Sequence, residues 1–101
     1  MNIHVIEPLN KFVKLPDDKW ESGGWSVDES KAQKLIGGVI YFHKKRFEPS
    51  FFGGSILDFR VDQSTEEQRK VIFTFQYKAD CRNVNTDGRG WSKRVKIIGN
   101  E

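Results

Sequence analysis

The feature that most constrains this chain is the alternation from Lys70 to Ala79. Val71, Phe73, Phe75, Tyr77 and Ala79 fall on one side, and Lys70, Thr74, Gln76 and Lys78 on the other, with Ile72 among them. Side chains of a strand point alternately to its two faces, so this pattern specifies a strand with one apolar, aromatic face. Such a strand must be paired at its edges and covered on that face. Other segments supply partners. From Ser55 to Val61, Leu57, Phe59 and Val61 oppose Asp58 and Arg60; from Trp91 to Ile98, Val95 and Ile97 oppose Arg94 and Lys96. Val39-Ile40-Tyr41-Phe42 is a continuous apolar run, as in a strand covered on both faces. Asn2 to Ile6 reads as an opening strand before Pro8, and Lys11 to Leu15 as a weaker one before Pro16.

One helix is expected, from about Val27 to Ile36. Ser26 followed by Glu29 has the spacing of a capping box, and Asp28 and Glu29 put negative charge on the first turn. Ala32, Leu35 and Ile36 form its apolar stripe, and Gly37 can end it in the left-handed conformation. Five or six strands and one helix cannot bury their faces as an uncovered flat sheet. The expected fold class is therefore α+β: a small mixed β-barrel of five to six strands with one short capping helix over about 27–36. No repeat or linker divides the chain, so residues 1–101 read as one domain.

Composition excludes several classes. Rings make up 13% of the chain, too many for a disordered polymer. The charged fraction of 31% and a mean hydropathy of -0.62 argue against a membrane protein, and no stretch approaches the roughly 20 apolar residues of a spanning helix. The first residues carry neither a basic leader nor a long apolar segment, and the lone Cys81 permits no internal disulfide. A cytoplasmic location is expected. The net charge of +3 is too small to define partners, but its distribution is uneven. Lys78, Arg82, Arg89, Lys93, Arg94 and Lys96 face only Asp80 and Asp87 in their stretch, and His43-Lys44-Lys45-Arg46 is a second basic knot. Both read equally as solvated loop charge.

Three groups of residues are candidates for ligand contact. Trp20 and Trp25 flank Glu21-Ser22-Gly23-Gly24, read as a flexible turn. Their rings suit stacking on a base, or, for Trp25 above all, packing into the core. Phe47, Phe51 and Phe52 follow Lys44, Lys45 and Arg46. Cations for phosphate interleaved with rings for bases make a single-strand surface; equally, the rings fill a barrel mouth and Gly53-Gly54 makes a bulge. The long segment from Ala79 to Trp91 carries Asp87-Gly88, a turn signal, and Arg82, Arg89 and Trp91, with Arg94 just beyond. Arginines there can grip phosphate or carboxylate through forked N–H donors, or the loop is merely solvated.

Catalytic groups are sparse. His4 and His43 are distant in sequence, with no Cys or carboxylate at metal-ligand spacing, and Cys81 has no evident His partner. Asp17-Asp18 and Glu66-Glu67 read as solvated turn carboxylates. No phosphate-cradling Gly loop with a Lys-Ser/Thr end is present. Neither an enzyme nor a cofactor or metal site is expected.

The run Gly23-Gly24-Trp25-Ser26-Val27-Asp28-Glu29, a short helix, then Gly37-Gly38-Val39-Ile40-Tyr41-Phe42 and Ser50-Phe51-Phe52-Gly53-Gly54-Ser55-Ile56, resembles the core of the PUA-like superfamily, which includes ASCH and EVE domains. The likeness covers about residues 20–79. It departs from the EVE pattern at Gly38, where an acidic residue often stands, and in overall length. The resemblance implies a barrel that binds RNA or a modified, unpaired base, and it extends to Trp25, Ser26 and the Phe51-Phe52-Gly53-Gly54 turn. The expected role is thus a non-catalytic nucleic-acid-binding module, with Trp20, Trp25, Ser26, Lys45, Arg46, Phe51, Phe52, Arg82, Arg89, Trp91 and Arg94 as its contacts. The alternative is a small interaction or inhibitor module of a phage or bacterial system acting on a larger protein partner.

Overall fold

The computed structural model describes residues 1–62 and 70–99; Glu66-Glu67 lie outside the described residues. The chain runs β1 (Asn2–Ile6), β2 (Val13–Lys14), β3 (Lys19–Trp25), α1 (Glu29–Leu35), β4 (Val39–His43), β5 (Ser50–Asp62), β6 (Lys70–Tyr77), a 3-10 turn at Ala79–Cys81, and β7 (Val95–Ile98). The strands form one mixed sheet in the order β2-β3-β6-β5-β4-β1-β7. All neighbours are antiparallel except β1 and β4.

The alternating segment becomes β6, and its apolar side buries Val71, Phe73 and Phe75 completely. Ile3, Val5, Ile40, Phe42, Ile56, Trp25 and Val95 join the same core, onto which α1 lays Ala32 and Leu35. Burying a large apolar side chain contributes about 1.5–3 kcal/mol, so this cluster supplies much of the driving force.

Among the described residues the sheet is open rather than closed into the barrel expected, and it has seven strands rather than five or six. Its edges are β2 and β7, which do not pair with each other. β2 is only two residues long, and it covers β3 only at Trp20 and Glu21. The sheet curls instead, bringing Trp25 at the end of β3 and Val95 at the start of β7 to the walls of one cleft.

Other boundaries also differ from expectation. Glu21-Ser22-Gly23-Gly24 is not a turn before the helix but the body of β3: Glu21, Ser22 and Trp25 pair with β6, and the register shifts at Gly23-Gly24 between them. The true turn is one step earlier. Asp17 and Asp18 both have positive φ (65° and 59°) between β2 and β3, the conformation of a tight hairpin turn whose twist matches the strands. The helix starts at Glu29 rather than Val27, after Asp28, without a side-chain cap. The expected capping hydroxyl of Ser26 accepts instead from the Lys70 ammonium, at 2.6 Å. Its other end follows the sequence: Gly37 has φ +89°, the left-handed conformation that stops a helix.

β5 is longer than its alternation indicated, taking in Phe51, Phe52 and the glycine pair. Ile56 pairs with Phe75 and Asp58 with Thr74, so Leu57 is the extra residue of a bulge. That is why Leu57 is exposed rather than sharing a buried side with Phe59 and Val61. Gly53 and Gly54 mark close approach instead of a bulge. A Cβ at either would collide with a backbone carbonyl, of Ile40 or of Gln76 respectively.

Candidate functional site

Two clefts gather most of the candidate residues, and they lie at opposite ends of β3. The first is an aromatic bowl of about 400 Å³ lined by Asp18, Trp20, Phe51, Phe52, Tyr77 and Arg82. Three strands build it. Trp20 pairs across β3 and β6 with Phe75, and Phe52 pairs with Phe42 across β4 and β5. Phe52 meets Trp20 edge-on, with ring centres 5.4 Å apart, and stacks on Tyr77 at 5.2 Å and 25°. Phe12, from the segment before β2, braces the rings from behind Phe51, Phe52 and Trp20. Such offset and edge-to-face contacts hold each ring in place while leaving part of its surface uncovered; Trp20, Phe51, Phe52 and Tyr77 are all half-buried.

Cations ring this bowl. The Lys44 ammonium sits 4.4 Å from the centre of Phe51, and that of Lys14 lies 5.7 Å from the centre of Trp20. Arg82 is exposed on its wall. The Arg82 backbone is fixed by the 3-10 turn before it, and the next residues are stitched to β5. Ser50 Oγ donates to the Cys81 carbonyl and accepts from the Val84 N–H, while the Asn83 and Ser50 backbone N–H groups donate to the carbonyls of Ser50 and Val84.

The second cleft is the seam between β3 and β7. It has two adjoining parts, of about 360 and 210 Å³, which share Ser26, Ser92, Lys93 and Val95. Lys31 lines the larger part, and Lys70 and Arg94 the smaller. Among the described residues Asp28 is the one carboxylate on its walls.

The remaining candidates divide differently. Trp25 is 4% exposed and its indole N–H donates to Ser22 Oγ at 2.9 Å, so the ring is core and offers no stacking face. Lys45 and Arg46 are exposed in the turn after β4 and line neither cleft. Arg89 is exposed; its backbone N–H donates to Asp87 Oδ1. Trp91 lies over the opposite face of the sheet, edge-on to His43 with centres 5.8 Å apart. Its indole N–H is buried and meets no acceptor among the described residues. The candidate residues are thus split: Trp20, Phe51, Phe52 and Arg82 share the bowl, Ser26 and Arg94 share the seam, and Lys45, Arg46, Arg89 and Trp91 line neither.

Sequence reasoning missed a buried polar cluster beneath that second face. His4 and His43 are both fully buried, with His4 Nδ1 2.9 Å from His43 Nε2. The Glu48 carbonyl, 2.8 Å from His43 Nδ1, can only accept, so that nitrogen carries the proton. His43 Nε2 must then accept from the N–H of His4 Nδ1. Burial pushes the His43 pKa down from 6.5; the Glu48 hydrogen bond opposes this and the nearby Lys96 charge adds to it. Lys96 itself is buried, its ammonium held by the Asp87 carbonyl at 2.8 Å and carboxylate at 3.1 Å. Those contacts, with the Arg89 N–H first, hold the Asp87 carboxyl below its ordinary pKa. Parallel pairing of β1 with β4 brings these histidines together across 39 positions of sequence, which no local motif signals.

None of these groups lines a cleft just described. Cys81 is 3% exposed, and burial, aided by Asp80, pushes its thiol pKa up, away from the reactive thiolate. Among the described residues no group of three His, Cys, Asp or Glu side chains could hold a metal ion, and no helix is long and apolar enough to cross a membrane. The chemistry the clefts offer is stacking, apolar contact and anion pairing. No family model matches the chain, and no curated protein or solved structure does either.

Proposed function

We propose that this chain is a binding module for single-stranded nucleic acid, RNA or an unpaired base in particular, acting without catalysis. The observation that carries the reading is the bowl of Trp20, Phe51, Phe52 and Tyr77 with Arg82 on its wall. An unpaired base offers two π-faces, and stacking it on an aromatic side chain contributes about 1–3 kcal/mol. Arg82 supplies forked donors for the adjoining phosphate. A flat duplex cannot enter such a bowl; a splayed base can. The PUA-like likeness belongs to this reading. It is supported by the helix leading through Gly37-Gly38 into β4 and by the glycine pair that lets β5 approach its neighbours.

Titrating the protein with single-stranded oligonucleotides, followed by tryptophan fluorescence over a range of salt, tests it. Trp20→Ala is expected to weaken binding about five- to 150-fold. Arg82→Ala is expected to flatten the slope of log affinity against log salt by about 0.7, the share of one phosphate on a single strand. Arg46→Ala, outside both clefts, serves as the control. Absence of salt-sensitive binding to any oligonucleotide would refute the proposal. The protein-partner alternative rests on a different surface: Leu9 and Val13 are exposed, Val13 on the short edge strand β2.

A further inference from the structure

We infer that the seam cleft is the backbone-binding half of the same site, so that the ligand is a strand of about four or more nucleotides rather than a mononucleotide. This rests on the proposed nucleic-acid reading and extends it. The seam presents the side chains of Ser26, Lys31, Lys70, Ser92, Lys93 and Arg94. Four of these are cations, contributed by three separate places in the chain: Lys31 by the helix, Lys70 by the start of β6, and Lys93 and Arg94 by the approach to β7. Lys31, Lys93 and Arg94 are exposed. A surface that is merely solvated has no reason to assemble them on one concave wall, where their mutual repulsion is greatest and where Asp28 is the only carboxylate among the described residues. A run of phosphates relieves that repulsion.

The spacing fixes the ligand's length. Trp20 in the bowl and Trp25 behind the seam are the two ends of β3. They pair with Phe75 and Val71 of β6, four residues apart because β3 bulges between Ser22 and Trp25, so at about 3.3 Å per step they are separated by about 13 Å. A strand stacked as in a duplex advances about 3.4 Å per nucleotide, so about four nucleotides span the interval. The route between them is also marked. Among the described residues no strand pairs with the outer side of β3 beyond Glu21, and Gly23 and Gly24 on that stretch are exposed, without side chains to obstruct a backbone. Trp20 and Phe52 border the bowl, and Trp25 and Val95 border the seam, so β3 contributes a wall residue to each cleft.

Thymidine oligomers of about three and about eight nucleotides, titrated at several salt concentrations, test this, with the protein intact and with a Lys31→Ala/Lys93→Ala double variant. The longer oligomer is expected to bind at least about tenfold more tightly, with a salt slope steeper by about 0.7 for each added phosphate contact. The double variant is expected to lose about 1.4 of that slope on the longer oligomer and to bind the shorter one unchanged. Both lysines are exposed, so their loss leaves the core intact. Equal affinity and slope for the two lengths, with Trp20 fluorescence still responding, would overturn the inference while leaving the bowl in place. No response to either oligomer would remove the bowl as well.

Discussion

Acidification should destabilise this protein well above the pH at which carboxylates titrate, and His43 should be the main reason. Its ring is completely buried, and its two nitrogens are committed: Nδ1–H donates to the Glu48 carbonyl and Nε2 accepts from His4. Protonating Nε2 would set two N–H donors against each other, in a site that already faces the Lys96 ammonium, with Asp87 behind it and Tyr41 stacked on His4. The folded protein therefore resists the proton that the unfolded chain accepts. Because the folded pKa lies below the unfolded value of 6.5, stability is complete above about pH 6.5 and falls as pH drops toward the folded pKa. Over that window the unfolded state holds one more proton, so the loss approaches about 1.4 kcal/mol per pH unit. Urea unfolding at a series of pH values, for the natural protein and for His43→Gln, isolates this contribution. A glutamine amide can both donate to Glu48 and accept from His4, but it does not titrate. The stability advantage of the natural protein should shrink by up to about 1.4 kcal/mol for each unit below about pH 6.5. Parallel pH profiles of the two proteins between about pH 7 and 5 would refute the assignment of the protons.

Three other substitutions or reagents probe the fold and its link to the bowl. Phe73→Ala empties a fully buried site on β6 and should cost about 3–5 kcal/mol in urea unfolding. Ser50→Ala leaves the Cys81 carbonyl and the Val84 N–H without their partner, at about 1–3 kcal/mol for each orphaned group, and should speed amide exchange at Val84. Because this loop carries Arg82, the same variant should weaken oligonucleotide binding. Cys81 should react with a thiol reagent only when the protein unfolds, its modification rate tracking the unfolding equilibrium.

How much of this was legible in the sequence depends on whether the signal was local. Val71, Phe73 and Phe75 announced their strand by alternation, and Gly37 its helix end, because each obeys a rule acting within a few residues. β3 was not legible: Glu21-Ser22-Gly23-Gly24 has the composition of a turn, and only the pairing of Glu21, Ser22 and Trp25 with β6 makes the segment a strand. Ser26 failed as a cap because Lys70, 44 positions away, engages its hydroxyl. Similar reasoning applies to the clefts. Trp20, Phe51, Phe52 and Arg82 were marked by ring and charge, whereas Tyr77 read as a core residue and Asp18 as a solvated turn carboxylate. Lys31, Lys70 and Lys93 looked like ordinary surface charge, since nothing in the chain shows that the sheet curls β3 toward β7. Closure itself was misjudged for the same reason. The apolar pattern demands cover, but the helix with Trp25 and Val27 provides it as well as a last strand pairing would.

The most direct test of the account is to map amide and indole chemical shifts of the isotope-labelled protein as a single-stranded oligonucleotide of about eight nucleotides is added. Shifts concentrated at Trp20, Phe51, Phe52, Tyr77 and Arg82, and continuing through Gly23-Gly24 to Ser26 and Lys93, are the predicted result. Shifts confined to Leu9, Val13 and the β2 edge, or no shifts at all, would contradict it.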